Sequence, residues 1–297
     1  MIPLSPVTRV GILAKSHLTA ATPHLLEISE WLVSRGYTAV FETGTAELMP
    51  ASNGRLITTQ AALASDVDMV VVLGGDGTLL SMADSIGAAG SAIPILGVNF
   101  GSLGFLTEIT LPELYPSLES VLGGTAQIEE RMMLRSRTLR DGVVHADRLA
   151  LNDVVITKGA LSRIIDLEVE IGGRPIMRVR ADGLIIGSPT GSTAYNLAAG
   201  GPILHPEVDA LLLTPIAPHM LTNRPVVVPA SSEIRVRPAV NGSNEEMFVT
   251  IDGQSGHALQ SADEICITRA ERPLKLIRAS TRTYFDVLRQ KLKWSER

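Results

Sequence analysis

The chain has 297 residues, 45% of them hydrophobic, a formal net charge of −5 at pH 7 and one cysteine, Cys266. That length suits one large domain or two ordinary ones, no apolar run reaches the roughly 18–20 residues of a membrane helix, and the mild acidity runs against nonspecific nucleic-acid binding. A lone cysteine forms no internal disulfide and Met1-Ile2-Pro3-Leu4-Ser5-Pro6 lacks the basic start and apolar stretch of a secretory signal, so the expected compartment is the reducing cytoplasm.

The first ~120 residues alternate strand and helix patterns. Val7 to Leu13 reads as a strand. Thr22-Pro23 predicts a helix start, with a hydroxyl cap followed by proline, and Leu25, Ile28 and Leu32 mark its apolar face before Gly36 closes it. Tyr37 to Phe41 is the next strand. Asp68 to Leu73 is apolar throughout after its first residue, as for a strand covered on both faces. Leu79, Met82, Ala83 and Ile86 then form one helical stripe, and Ile93 to Val98 is a further strand. Short apolar strands alternating with helices predict a Rossmann-like parallel α/β sheet.

Beyond about residue 125 the rhythm becomes antiparallel. Asp166 to Ile171 alternates polar and apolar, and Gly172-Gly173 leads into a returning strand, Pro175 to Val179. Asp141-Gly142 marks a second hairpin. Glu233 to Arg237 and Glu246 to Ile251 continue the pattern, and Glu264 to Thr268 reads as a strand that buries Cys266. Tyr284, Leu288 and Leu292, followed by Trp294, predict a terminal helix. The expected division is an α/β domain over 1–125 and a β-rich domain over 126–277, joined without a linker.

The chemistry concentrates in a few stretches. Gly74-Gly75-Asp76-Gly77-Thr78 follows an apolar strand and opens a helix, where glycines let a ligand approach the backbone and free N–H groups favour phosphate. It is neither a P-loop nor a Gly-x-Gly-x-x-Gly fingerprint. Asp76 is either a proton acceptor for an attacking hydroxyl or a cap on the helix, and local sequence does not separate the two. Asn152-Asp153 offers an amide suited to a base edge and a carboxylate suited to a ribose hydroxyl, or else simply starts a turn. Arg178, Arg180 and Asp182 alternate along one strand face, with Arg174 and Arg178 read as surface charges. The Thr190–Tyr195 stretch combines hydroxyls and N–H groups that bind phosphate or ribose oxygens, or cap a short helix. The six histidines lack the spacing of a zinc site, and no Gly-x-Ser-x-Gly elbow is present.

Gly-Gly-Asp-Gly-Thr after a hydrophobic strand resembles the phosphate loop of a kinase superfamily that includes NAD kinases and lipid kinases. Leu151-Asn152-Asp153-Val154-Val155, the run from Asp182 to Tyr195, Gly200-Gly201-Pro202-Ile203 and Asp252-Gly253-Gln254 follow in the order found in bacterial NAD kinases. The resemblance spans nearly the whole chain and implies a tail, 278–297, that packs back on the first domain. It also implies transfer of the γ-phosphoryl group of ATP to the 2′-hydroxyl of the adenosine ribose of NAD, with Asp76 as general base. Gly74, Gly75, Gly77 and Thr78 would hold donor phosphates, with Mg²⁺ carried on ATP rather than in a protein site.

The same resemblance assigns ligand contacts to Asn152, Asp153, Arg163, Arg180 and Asp182. It extends them to Thr193, Ala194, Tyr195, Asn196, Leu197, Ala198, Ala217 and Gln254, with Asp182 serving the nicotinamide side. Asp153 stands where the family usually has Glu, which shortens its reach by one methylene. The family also implies a homodimer or homotetramer, NAD and ATP as the partners, and no membrane or nucleic acid. Two rivals are a lipid or sugar kinase sharing the glycine loop and a noncatalytic dinucleotide sensor.

Overall fold

A computed structural model describes residues 7–101, 103–159, 164–220, 222–239, 246–279 and 282–294. The chain divides into two units, Met1–Glu130 with Leu274–Arg297, and Arg131–Pro273.

The first unit holds strands β1 (Arg9–Ala14), β2 (Thr38–Glu42), β3 (Leu56–Thr58), β4 (Met69–Gly74), β5 (Ile95–Asn99) and β6 (Gln127–Arg131). Its helices are α1 (Thr22–Ser34), α2 (Thr43–Ala46), α3 (Gln60–Asp66), α4 (Asp76–Ala88) and α5 (Leu114–Leu122). Leu25, Ile28 and Leu32 of α1 and Leu114, Leu118 and Val121 of α5 share a core with Val10, Ile12, Met69 and Val71. The opposite face meets α3 and α4. A Cβ on Gly11 would lie 3.0 Å from Leu63, and one on Gly97 would lie 2.8 Å from Leu79. These two strand glycines let the helices sit close, and double coverage is why every residue of β4 is buried.

One detail of the α1 start differs from the expected cap. Thr22 is the first helical residue, Ala21 precedes it, and the Thr22 hydroxyl donates to the carbonyl of Leu48 at 2.7 Å. A tertiary acceptor has taken the group that a local rule assigned to the helix end.

The second unit contains β7 (Leu134–Arg140), β8 (Val143–Ala150), β9 (Asp153–Lys158), β10 (Ile165–Ile171), β11 (Arg174–Ala181), β12 (Gly183–Gly187) and β13 (Ala210–Ile216). After the short α6 (Tyr195–Ala198) come β14 (Val226–Pro229), β15 (Ile234–Pro238), β16 (Met247–Ile251), β17 (Ser255–Leu259) and β18 (Glu264–Arg269). They form two six-stranded sheets, ordered β11-β10-β15-β18-β7-β8 and β14-β13-β12-β9-β16-β17. Leu167, Val169, Val236 and Ile265 of one sheet pack against Val154, Ile156, Ile186 and Val249 of the other. The two predicted hairpins form, with Asp141-Gly142 and Gly172-Gly173 all at positive φ, the requirement of the tight turn that matches strand twist. Cys266 is a buried free thiol on β18.

The tail belongs to the first unit. It begins earlier than the expected 278, with strand β19 (Leu274–Arg278), and ends in helix α7 (Tyr284–Leu292). β19 pairs in parallel with β5, giving the sheet order β3-β2-β1-β4-β5-β19-β6. Val287 and Leu288 are the buried residues of α7, while Trp294 is exposed. Among the described residues, no helix is long and apolar enough to cross a membrane.

Candidate active site

In the first unit β1 and β4 lie side by side although β2, β3 and three α-helices come between them in the chain. The chain leaves β1 toward β2 on one side and returns on the other, so the β1/β4 junction is the switch point where open α/β sheets bind ligands. The glycine stretch emerges there. Gly74 ends β4, Gly75 caps α4 without a side-chain bond, and Asp76 is the first helical residue. Helix geometry leaves the N–H groups of Asp76 and Gly77 without acceptors of their own. A Cβ on Gly75 or Gly77 would meet nothing within 4 Å, whereas one on Gly74 would lie 2.7 Å from the Thr78 hydroxyl. The turn is therefore open on its outer side and tight on its inner side.

Asp76 does not cap the helix. Its Oδ1 accepts from the N–H groups of Leu106 (3.1 Å) and Thr107 (3.0 Å) and from the Thr107 hydroxyl (2.9 Å). Its Oδ2 accepts the Phe105 N–H at 2.9 Å and no other donor among the described residues. Oδ1 is saturated and Oδ2 keeps one lone pair. Gly104 makes this clasp fit, because a Cβ there would lie 2.0 Å from Oδ1. The sequence reading missed the segment from Asn99 to Thr107. The clue was present in Gly101 and Gly104, which follow β5 as the glycine stretch follows β4.

In the second unit three segments meet at one end of the sheet containing β12. Asp252, at φ 50°, accepts from the backbone N–H groups of Leu151 (2.7 Å), Asn152 (2.7 Å) and Asp153 (2.9 Å). Asp and Asn tolerate that left-handed backbone better than most residues. The Ser188 hydroxyl donates to the Leu151 carbonyl, and the Ser188 N–H donates to Asn152 O at 2.9 Å.

Gly191 packs against the same turn, where a Cβ would lie 2.0 Å from Asn152 O and 2.5 Å from its carbonyl carbon. Gly191→Ala must shift backbone. The expected cost is about 3 kcal/mol, read as a Tm lower by roughly 6–12 °C in thermal unfolding.

Asp153 begins β9 and is 4% exposed. Its carboxylate receives no hydrogen bond among the described residues. Burial first, and then the negative charge of Asp252, push its carboxyl up to about 7. An acid at this position both gives and takes a hydrogen bond near neutral pH.

Asn196 is fully buried and holds the loop together. Its amide donates to Ser192 O (2.9 Å) and Pro202 O (3.0 Å) and accepts from Thr214 at 2.6 Å. It is committed to the loop, whereas its neighbour Tyr195 is 45% exposed. Thr193, Ala194 and Leu197 are partly exposed and Ala198 is exposed along the same segment. Gln254 is exposed in the turn after Asp252, its N–H bonded to Ile251 O.

Other expected contacts lie at the opposite end of β12, five residues and about 13 Å away. Asp182 is not part of the strand carrying Arg178 and Arg180, since β11 stops at Ala181. It sits at the junction and pairs with Lys158 at 3.2 Å. Arg180 is exposed, and Arg178 pairs with Asp166 at 3.7 Å. Ala217 holds φ 44°, a strained value for alanine. The bonds from Asp182 N to Ile216 O (3.0 Å) and from His219 N to Arg180 O (2.9 Å) keep it there. Arg163 lies outside the described residues.

Comparison with known proteins gives a consistent picture. The chain matches the ATP-NAD kinase N-terminal domain over residues 10–126 and the ATP-NAD kinase C-terminal domain over residues 151–279. It is 48% identical over 289 residues to an NAD kinase of Geotalea daltonii, covering 97% of this chain and 99% of that one. It is 49% identical over 290 residues to an NAD kinase of Geobacter sp., with the same coverage. Among solved structures it is similar to a yeast NADH kinase complexed with NADH, with a TM-score of 0.85, 25% identity, and coverage of 99% of this chain and 89% of that one. The fold is also shared with an NAD kinase from Archaeoglobus fulgidus in complex with ATP, with a TM-score of 0.74, 24% identity, and coverage of 95% and 99%.

Proposed function

The chain belongs to the NAD kinase family, and from that premise we propose how its own residues carry out ATP-dependent phosphorylation of NAD. The γ-phosphoryl group passes to the 2′-hydroxyl of the adenosine ribose. The O–H bond breaks, an O–P bond forms, the bond from the γ-phosphorus to the β-bridging oxygen breaks, and NADP and ADP leave. The observation that carries this reading is the Asp76 carboxylate, clasped by the 105–107 backbone with one lone pair of Oδ2 unspent. Its orientation is fixed before substrate arrives, as general-base work requires. Oδ2 takes the proton of the attacking hydroxyl.

The open glycine turn and the N–H groups of Asp76 and Gly77 hold donor phosphates, with Thr78 beside them. Mg²⁺ arrives with ATP and spreads the charge of the triphosphate. Asn152 and Asp153 hold the adenosine. The buried Asp153 carboxyl, which has no hydrogen-bond donor among the described residues, takes a ribose hydroxyl. The segment from Thr193 to Ala198, with Gln254, borders that end, Tyr195 stacks on a base, and Asn196 acts by fixing the loop. Asp182, Arg180 and Ala217 serve the nicotinamide half at the other end of β12, with Arg163 assigned by resemblance alone. The family resemblance further points to a cytoplasmic homodimer or homotetramer.

The test is a coupled assay: protein, ATP, Mg²⁺ and NAD, with NADP read by an NADP-specific dehydrogenase. NADP accumulation is expected. Phosphorylation of diacylglycerol without NADP, or NAD binding without turnover, would replace this reading with one of its two rivals.

A further inference from the structure

We infer that Lys15 is a donor-phosphate contact, its ammonium gripping the triphosphate of ATP beside the glycine turn. The inference rests on the kinase reading above and adds to it a residue that neither the motif nor the family comparison assigns. Lys15 directly follows β1, and its N–H donates to Leu73 O at 2.9 Å, which ties it to the end of β4. The Cβ that Gly74 lacks would lie 3.2 Å from the Cβ of Lys15 and 2.7 Å from the Thr78 hydroxyl. The lysine stem, the glycine and the threonine hydroxyl therefore sit at one point, at the switch point of the sheet.

The charge balance makes the position meaningful. Residues 14–18, 74–78 and 99–107 run from the carboxyl ends of β1, β4 and β5, and Lys15 is the one lysine or arginine in these segments. The glycine stretch contributes a negative charge of its own, Asp76, and lacks the lysine that a P-loop provides. A polyanionic donor needs a cation there in addition to Mg²⁺. Lys291 reaches this region from α7, but its ammonium lies over the Phe105 ring at 5.7 Å. Lys15 is exposed and makes no ion pair within the described residues. A lysine is a mobile point charge on a long stem, suited to following a phosphoryl chain rather than reading it in a fixed fork.

Steady-state kinetics with ATP and NAD varied in turn, on the wild type, Lys15→Met and Lys15→Arg, test this. Lys15→Met is expected to raise KM for ATP by about 10-fold, the effect of one charge-assisted bond to phosphate, while KM for NAD stays unchanged. Lys15→Arg keeps the charge and is expected to recover most of the loss, which a merely structural role would not predict. The site is exposed, so the thermal transition should be unaltered in both variants. An unchanged KM for ATP in Lys15→Met, or equal rises in both KM values, would overturn the assignment while leaving the kinase reading intact. A wild-type protein that makes no NADP would sink the reading itself and the inference with it.

Discussion

Asp76→Asn is expected to lower kcat by on the order of 10²–10⁴, the range for losing a positioned proton acceptor. The amide has nearly the same shape, so the interest lies in what its atoms can do. With its oxygen in the place of Oδ1, it still accepts from Leu106 and Thr107. Its NH₂ then faces the Phe105 N–H, donor against donor. The flipped amide is worse, since the two backbone N–H groups of Leu106 and Thr107 would face an NH₂ group, with only the Thr107 hydroxyl able to turn and accept.

The variant therefore loses the base and also loosens the 105 end of the clasp, at about 1–3 kcal/mol for the unsatisfied group. A Tm measurement reads the second effect and kcat reads the first. A drop in kcat with NAD binding retained supports proton acceptance. Wild-type kcat in the variant would remove Asp76 from the chemistry and favour a structural role in holding the loop.

Asp153→Asn is expected to stabilise the protein in a pH-dependent way. The folded state holds this carboxyl up to about 7, against an ordinary value of 3.8. Between those values the unfolded chain releases the proton while the folded chain keeps it. Relative to the asparagine variant, wild-type stability is therefore highest below about pH 4, falls as pH climbs toward 7, and levels off above that. Each pH unit across the window is worth at most about 1.4 kcal/mol.

Thermal melts of both proteins from pH 4 to 8 should show a Tm gap that widens with pH and then stays constant. A gap independent of pH would mean that Asp153 does not carry a proton in the folded state. Function tests the same group from the other side. If Asp153 grips the ribose, Asp153→Ala should raise KM for NAD by about 10-fold and KM for ATP far less. Equal effects on both would make the residue part of the turn alone.

Legibility differed between local and long-range features for a physical reason. The β4–α4 register, the α4 stripe and the 166–179 hairpin follow from periodicity and turn chemistry, which act over a few residues. Leu79, Met82, Ala83 and Ile86 are all buried as that spacing requires. The clasp on Asp76 joins residues about 30 positions apart, and the Asp252 anchor joins residues about 100 apart. No local pattern encodes such pairs. Thr22 shows the same limit in miniature, since a cap-forming residue gave its hydroxyl to Leu48 instead. Asp182 shows a different limit, because alternation along Arg178, Arg180 and Asp182 assumes a strand that in fact ends at Ala181.

By itself the sequence determined the glycine turn after an apolar strand, the Asn152-Asp153 pair, the ordered motifs and the change from α/β to antiparallel β, because composition and short-range spacing carry all of these. Only the tertiary structure decided what Asp76 does with its two oxygens, which carboxylate beside Asn152 is buried with its titration pushed upward, and which lysine stands next to Gly74. Those outcomes depend on burial and on backbone donors brought in from distant segments. A carboxylate's role is set by its neighbours in space, and the chain supplies those only once it has folded.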